Sequence, residues 1–316
     1  MYLFSASEIW DNILEITKEY SLLFTFFTFI ILILNSFTPI TDWVKRQFIN
    51  IFKKMRIIYQ KKIFDIKIKN KNMPKIYILN IDGVSSHWIN NPRNVRQSIV
   101  NVLDRIKYDN NKVCQIENLE DWKVLVNNPP DNIIIINCHG EVLPIPQEHM
   151  ENWQRFYHSL GNNIHNNKWI FVSLTGYSLF SYACDMRIIE TKGNNGYMGE
   201  NGLNEILSII HGSINCREAS DIIISKHGNR ALRNINTNIT PILKADRSAK
   251  SIIKPYRVFY YGKINEGVIA LKIGNGYFIH NGISYTNLGF YDQPRDITDS
   301  ILAEMGIAYA LDIVCF

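Results

Sequence analysis

Three short apolar runs, each closing on polar residues and a glycine, constrain this chain more than any other feature. They are "KIYILNIDG" at 75–83, "DNIIIINCHG" at 131–140 and "WIFVSLTGY" at 169–177. Four consecutive isoleucines leave no polar face, so the middle run reads as a strand covered on both sides, the environment of a parallel sheet flanked by helices. Helical patterns lie between the runs. Pro92–Lys107 puts Val95, Ile99, Val102, Leu103 and Ile106 on one side. Asn118–Val126 and Glu148–Ile164 also read as helices, and "KVCQI" at 112–116 as a further strand. Strand and helix alternating in this way predict an α/β domain with a doubly wound, mostly parallel, flavodoxin-like sheet.

The C-terminal part continues the alternation. Helices are expected near Asn204–Ile210, over Ala219–Leu232 and over Ile297–Leu311. "YRVFYYGKINEGVIALKIGNGYFIHNGISY" at 256–285 reads as three strands joined by glycine-containing turns, which gives the sheet a C-terminal hairpin. The Gly- and Asn-rich stretch 190–202 has the composition of a lid loop.

At 316 residues and 46% hydrophobic content, the chain can fill a sizeable core. Its net charge of +5 is unevenly spread. Between Lys45 and Lys75 stand eleven Lys and Arg against one acid, Asp65, so the remainder of the chain is net acidic. Basicity confined to one block argues against a nucleic-acid partner. The five cysteines are scattered without a C-x-x-C pair, which suits a reducing compartment better than a disulfide framework. No Cys/His cluster has zinc spacing, and neither a metal nor a cofactor is expected.

Residues 20–40, "YSLLFTFFTFIILILNSFTPI", carry no charge, a length that fits one transmembrane helix. The segment before it is acidic (Glu8, Asp11, Glu15, Glu19) and the one after it basic. The positive-inside rule then predicts a single-pass protein with a short outer tail at 1–19 and a cytoplasmic C-terminal domain. Residues 41–74 read as a basic amphipathic juxtamembrane segment and linker, and 75–316 as the α/β domain. The span 20–62 would contact membrane lipid, with a protein partner or a second copy of the chain as the alternative for the helix's apolar stripe.

Ligands of open parallel sheets bind beyond the carboxyl ends of the strands. Those ends carry Asp82 and Gly83; Cys138, His139, Gly140 and Glu141; Thr175, Gly176 and Tyr177; and His280 and Asn281. Adjacent residues of a strand point to opposite faces, so Cys138 and His139 do not form a dyad by being neighbours. Cys138, His139, Glu141 and His280 are the candidate catalytic residues, with Asp82, Gly83, Gly140, Thr175, Gly176, Tyr177 and Asn281 as candidate ligand contacts.

The element order, the strand ending at Cys138 with Gly140 two residues on, and the late hairpin "ALKIGNGYFIHNG" resemble the class I glutamine-amidotransferase-like superfamily, including its trehalose-utilisation-like branch. By that resemblance Cys138 matches the nucleophile of a G-x-C-x-G elbow and His280 the base of a His-x-Glu motif. Here Ile136 stands where the elbow has its first glycine, and Gly282 where the motif has its acid. His139-Gly140 at a strand end also looks like the His-Gly of caspase-like domains. The strand that would carry the cysteine there ends in Thr175-Gly176-Tyr177, and Cys184 lies beyond it. The resulting expectation is a crevice that binds a small molecule or a partner without turnover. A cysteine- or histidine-dependent hydrolase is the alternative, followed by a structural subunit.

Overall fold

The structure is a computed structural model that describes residues 41–191, 201–217, 220–237, 242–245, 248–251, 253–262, 266–283 and 295–316, together with Thr25 and Phe29. Two compact units are present, Met1–Met73 with Cys315 and Pro74–Val314 with Phe316.

In the first unit, helix α1 (Thr41–Ile68) extends over 28 residues. Lys61 and Asp65, one turn apart, pair at 2.7 Å on it. Most of the expected membrane span, like the outer tail, lies outside the described residues. Among the described residues no helix is long and apolar enough to cross a membrane. α1 has the length but carries eight Lys and Arg between Lys45 and Lys67. The single-pass arrangement, with its N-terminus outside and its C-terminal domain cytoplasmic, is corrected on this finding.

In the second unit, β1 (Lys75–Leu79) leads to α2 (Pro92–Arg105), β2 (Val113–Ile116), α3 (Leu119–Asn127), β3 (Ile133–Asn137), β4 (Val142–Pro144) and α4 (Trp153–Asn167). There follow β5 (Ile170–Ser173), β6 (Ser181–Ala183), β7 (Ile189–Glu190), α5 (Asn201–Leu207), β8 (Ile214–Arg217), β9 (Ser220–Ile224) and α6 (Lys226–Asn234). The chain closes with β10 (Ile242–Ala245), β11 (Ser248–Ser251), β12 (Arg257–Gly262), β13 (Glu266–Ile273), β14 (Gly276–Asn281) and α7 (Arg295–Cys315).

Local sequence accounts for most of these boundaries. Asn91 caps α2 by accepting the Arg93 N–H, Pro92 occupies the first turn, and Val95, Ile99, Val102 and Leu103 form its buried stripe. Asn118 caps α3 in the same way, with Glu120 and Asp121 in the first turn. Helix α4 starts at Trp153, later than the expected Glu148, because Gln147–His149 forms a separate 3-10 turn after Pro146. The helix expected over Ala219–Leu232 is divided. Three successive isoleucines favour a strand, in which Ile222 and Ile224 are buried and Ile223 is exposed. Ser225 then caps α6 by accepting the N–H groups of His227 and Gly228.

The expected mostly parallel, flavodoxin-like sheet is also corrected. Eleven strands form one mixed sheet with the main order β10-β9-β12-β13-β14-β5-β3-β1-β2, while β11 pairs with β13 and β8. Only β2, β1, β3, β5 and β14 run parallel to their neighbours on that side. From β13 outward every pairing among the described residues is antiparallel. The physical reason is that β12, β13 and β14 follow one another through short connections, which can only return the chain antiparallel. β4, β6 and β7 form a second, small sheet. The β3 isoleucines are buried on both faces, as their unbroken apolar run requires. Trp122 and Tyr157, both fully buried, fasten the small sheet through hydrogen bonds to Pro144 O and Ser181 O.

Candidate functional site

Parallel order brings the carboxyl ends of β14, β5, β3 and β1 side by side, and the turns that follow them carry most of the predicted residues. The turn after β3 is the most constrained. Asn137 accepts the His139 N–H and donates to Val142 O, folding residues 137–142 on themselves. Gly140, at φ +67, has no room for a side chain because His87 O stands against it.

Cys138 is fully buried, and its thiol comes no closer to a partner than Ile136 O at 3.9 Å. Burial pushes its pKa far up, with Arg96 opposing only weakly, so the thiol form dominates. Register also separates Cys138 from His280. Ile136, Val172 and Ile279 share one row, which places Asn137, Ser173 and His280 in the next. Cys138 lies one residue further on and continues the ladder through its N–H to Leu79 O, so it leaves the sheet on the face opposite His280.

His139 is fully buried and serves the backbone. Its Nε2 accepts the Ile81 N–H at 2.9 Å and its Nδ1 lies 3.3 Å from Ser85 O, which fixes the tautomer with the proton on Nδ1. Burial lowers its pKa to about 4, against a smaller opposing contribution from the Ser85 bond. His280, also buried, has Nδ1 2.7 Å from Ser178 Oγ. Ser178 is itself only 1% exposed, so this Ser–His pair is closed to solvent.

Glu141 is where several of the predicted residues meet. One carboxylate oxygen accepts the Tyr177 N–H, and the other lies 3.0 Å from His87 Nδ1. The His87 contact is an ion-pair approach that falls outside hydrogen-bond geometry. Gly176, at φ +66, lies so close that a Cβ there would strike the carboxylate. Glu141 is 1% exposed, whereas the His87 side chain is 44% exposed. Hydrogen bonding to Glu141 is the main force raising the His87 pKa; burial opposes it, and the charges of Glu141 and Glu190 reinforce it.

The other predicted contacts lie elsewhere. Thr175 donates to Ile283 O, and the Asn281 side chain accepts the Ile283 N–H, so both brace the turn after β14. Asp82 is exposed and pairs with Arg93 at 3.1 Å, while the adjacent Gly83 turns at φ +78.

His87 and Ser178 were not legible as site residues. His87 lies in "SSHW", a loop without periodicity, and its only signal is that it follows a β-strand at the carboxyl edge. That loop, residues 84–90, joins Pro92 and Met186 around a hollow of about 630 Å³ with His87 on its wall. Trp88 adopts a left-handed backbone (φ 62), uncommon for a bulky residue, and its ring leans on His87 at 5.2 Å.

The second unit is thus an α/β domain whose mixed sheet carries an open hollow at its carboxyl edge. No protein-family model and no curated protein matches the chain. Among solved structures it is similar to a β-galactosidase from Bacillus circulans sp. alkalophilus, with 13% identity, 76% of this chain and 33% of that chain covered, and a TM-score of 0.37. An exo-β-1,4-mannosidase from Opitutaceae bacterium strain TAV5 gives 7% identity, 77% and 35% coverage, and a TM-score of 0.36. A ThuA-like protein from Bacteroides uniformis gives 8% identity, 74% and 92% coverage, and a TM-score of 0.37. The chain spans about a third of the length of the two glycosidases. Likenesses at this level establish neither a shared fold nor a shared activity.

Proposed function

We propose that the α/β unit is a binding module that takes a small molecule in the hollow formed by residues 84–90, Pro92 and Met186, without turning it over. The observation that supports this most strongly is the His87–Glu141 pair: a half-exposed imidazole on the wall of the hollow, held from behind by a buried carboxylate. A hollow of about 630 Å³ is ample for a small ligand, and its wall sets polar groups from Ser85, Ser86, His87 and Asn90 beside Trp88 and Met186.

A hydrolase reading needs an exposed, activated nucleophile near that imidazole. Cys138 is buried as a thiol and Ser178 is closed to solvent, which favours binding over hydrolysis. Screening a fragment library against the ¹⁵N-labelled chain, alongside iodoacetamide labelling at neutral pH, tests the proposal. Hits should move the amide signals of residues 84–90, weaken in W88A, and leave Cys138 labelled no faster than the other cysteines. Hits that leave those signals unmoved, or a rapidly alkylated Cys138, would overturn it.

A further inference from the structure

The hydrogen-bond inventory of the hollow restricts what it can hold. Ser85 and Ser86 turn their hydroxyls onto Met186 O and Ile89 O, each at 3.0 Å. The backbone N–H groups of Ser85, His87 and Asn90 are taken by Asp185 O, His139 O and the Asp299 carboxylate. A phosphate or a polyol needs several convergent donors, and these are already committed. His87 differs. Its Nδ1 faces Glu141, so its Nε2 is the ring nitrogen left for a ligand, and it has no partner among the described residues. Val84, Trp88, Ile89, Pro92 and Met186 supply the apolar and flat part of the lining, beside the exposed amide of Asn90.

We infer that the hollow takes a flat aromatic molecule of one or two rings, seated on Trp88 and Met186, whose single strong acceptor, a ring nitrogen or carbonyl, receives a proton from His87 Nε2. This rests on the binding reading above and specifies its ligand class. Aromatic faces and a thioether offer broad contact to a planar ring, and one charge-assisted hydrogen bond fixes its orientation. Glu141 keeps a proton on Nδ1, so Nε2 carries one only while the ring is protonated. The ionisable groups acting on His87 are Glu141 and, from β7, Glu190, and both favour that form. Affinity therefore falls as pH rises through the His87 titration, where Nε2 changes from donor to acceptor.

Quinoline and naphthalene differ by one ring nitrogen and provide the test, with myo-inositol and inorganic phosphate as the multi-donor comparison. Ligand-observed NMR titrations of the full chain at pH 6 should give quinoline an advantage of about tenfold over naphthalene, the effect of one charge-assisted bond. H87F should erase that advantage while retaining naphthalene binding, and W88A should weaken both. If H87F does not fold, the quinoline–naphthalene comparison in the unmodified chain decides alone. Equal affinities there overturn the inference. Binding of inositol or phosphate at residues 84–90 in place of the aromatics overturns the ligand class but leaves the binding module standing. Binding of none of the four probes at those residues counts against both.

Discussion

Glu141 reaches His87 Nδ1 at 3.0 Å with one oxygen and takes the Tyr177 N–H with the other, so one buried carboxylate joins the loops that follow β1, β3 and β5. Removing it strands a backbone donor and releases the His87 loop. E141A should lose about 2 kcal/mol in urea denaturation, the typical cost of a buried donor without its partner.

His139 has the opposite electrostatic character to His87. In the fold its pKa is about 4, below the ordinary value of 6.5, because burial penalises the charged imidazolium, against a smaller opposing contribution from the Ser85 carbonyl. A depressed folded pKa means that the unfolded chain takes up the proton first. The contribution is therefore complete above about pH 6.5 and is lost as pH falls toward 4, on the order of 3 kcal/mol in all. Urea midpoints measured across that window should fall with acid and should do so less in H139Q, which has no group titrating there. The raised pKa of His87 acts in the other direction, and its small contribution fades as pH rises.

The three positive-φ glycines at the sheet edge should differ in cost. Gly83 has open space around its missing side chain, so G83A carries only the left-handed backbone penalty, about 1 kcal/mol. G176A adds a collision with the Glu141 carboxylate, and G140A a collision with the His87 main chain. Denaturation of the three variants should rank G140A as the most damaging, at roughly 3 kcal/mol or more, and G83A as the least.

Far from the hollow, fully buried Asp312 on α7 receives Arg230 Nε at 2.7 Å and Arg257 Nη1 at 2.8 Å, tying α7 to α6 and β12. D312A leaves two guanidinium groups in poorly solvated positions without their counter-charge. A loss of about 3–5 kcal/mol is expected from thermal or urea unfolding. A change below about 1 kcal/mol would show that the pair contributes little beyond what water supplies.

The parallel half of the domain was readable because its strands are buried on both faces and therefore uninterrupted by polar residues. "IYIL", "IIII" and "IFVS" mark β1, β3 and β5 directly. The antiparallel wing was less readable. β8, β10 and β11 are short and mix polar with apolar residues, so no strand was expected there, and β9 fell inside the helix expected over 219–232. At the site, the sequence marked Glu141, Gly140 and Gly176 by their position at strand ends. What it could not supply was which of the polar side chains face each other. Cys138 and His280 carry the right chemistry but lie on opposite faces, while His87 has no periodic signal and meets Glu141 only through the path of a loop.

The most direct test of the account is the titration of His87 followed by NMR in the unmodified chain and in E141Q. The account predicts a His87 pKa above 6.5 that drops in E141Q, where the carboxylate's charge is lost and burial remains. A His87 pKa at or below 6.5 in the unmodified chain, or one unchanged by E141Q, would contradict it.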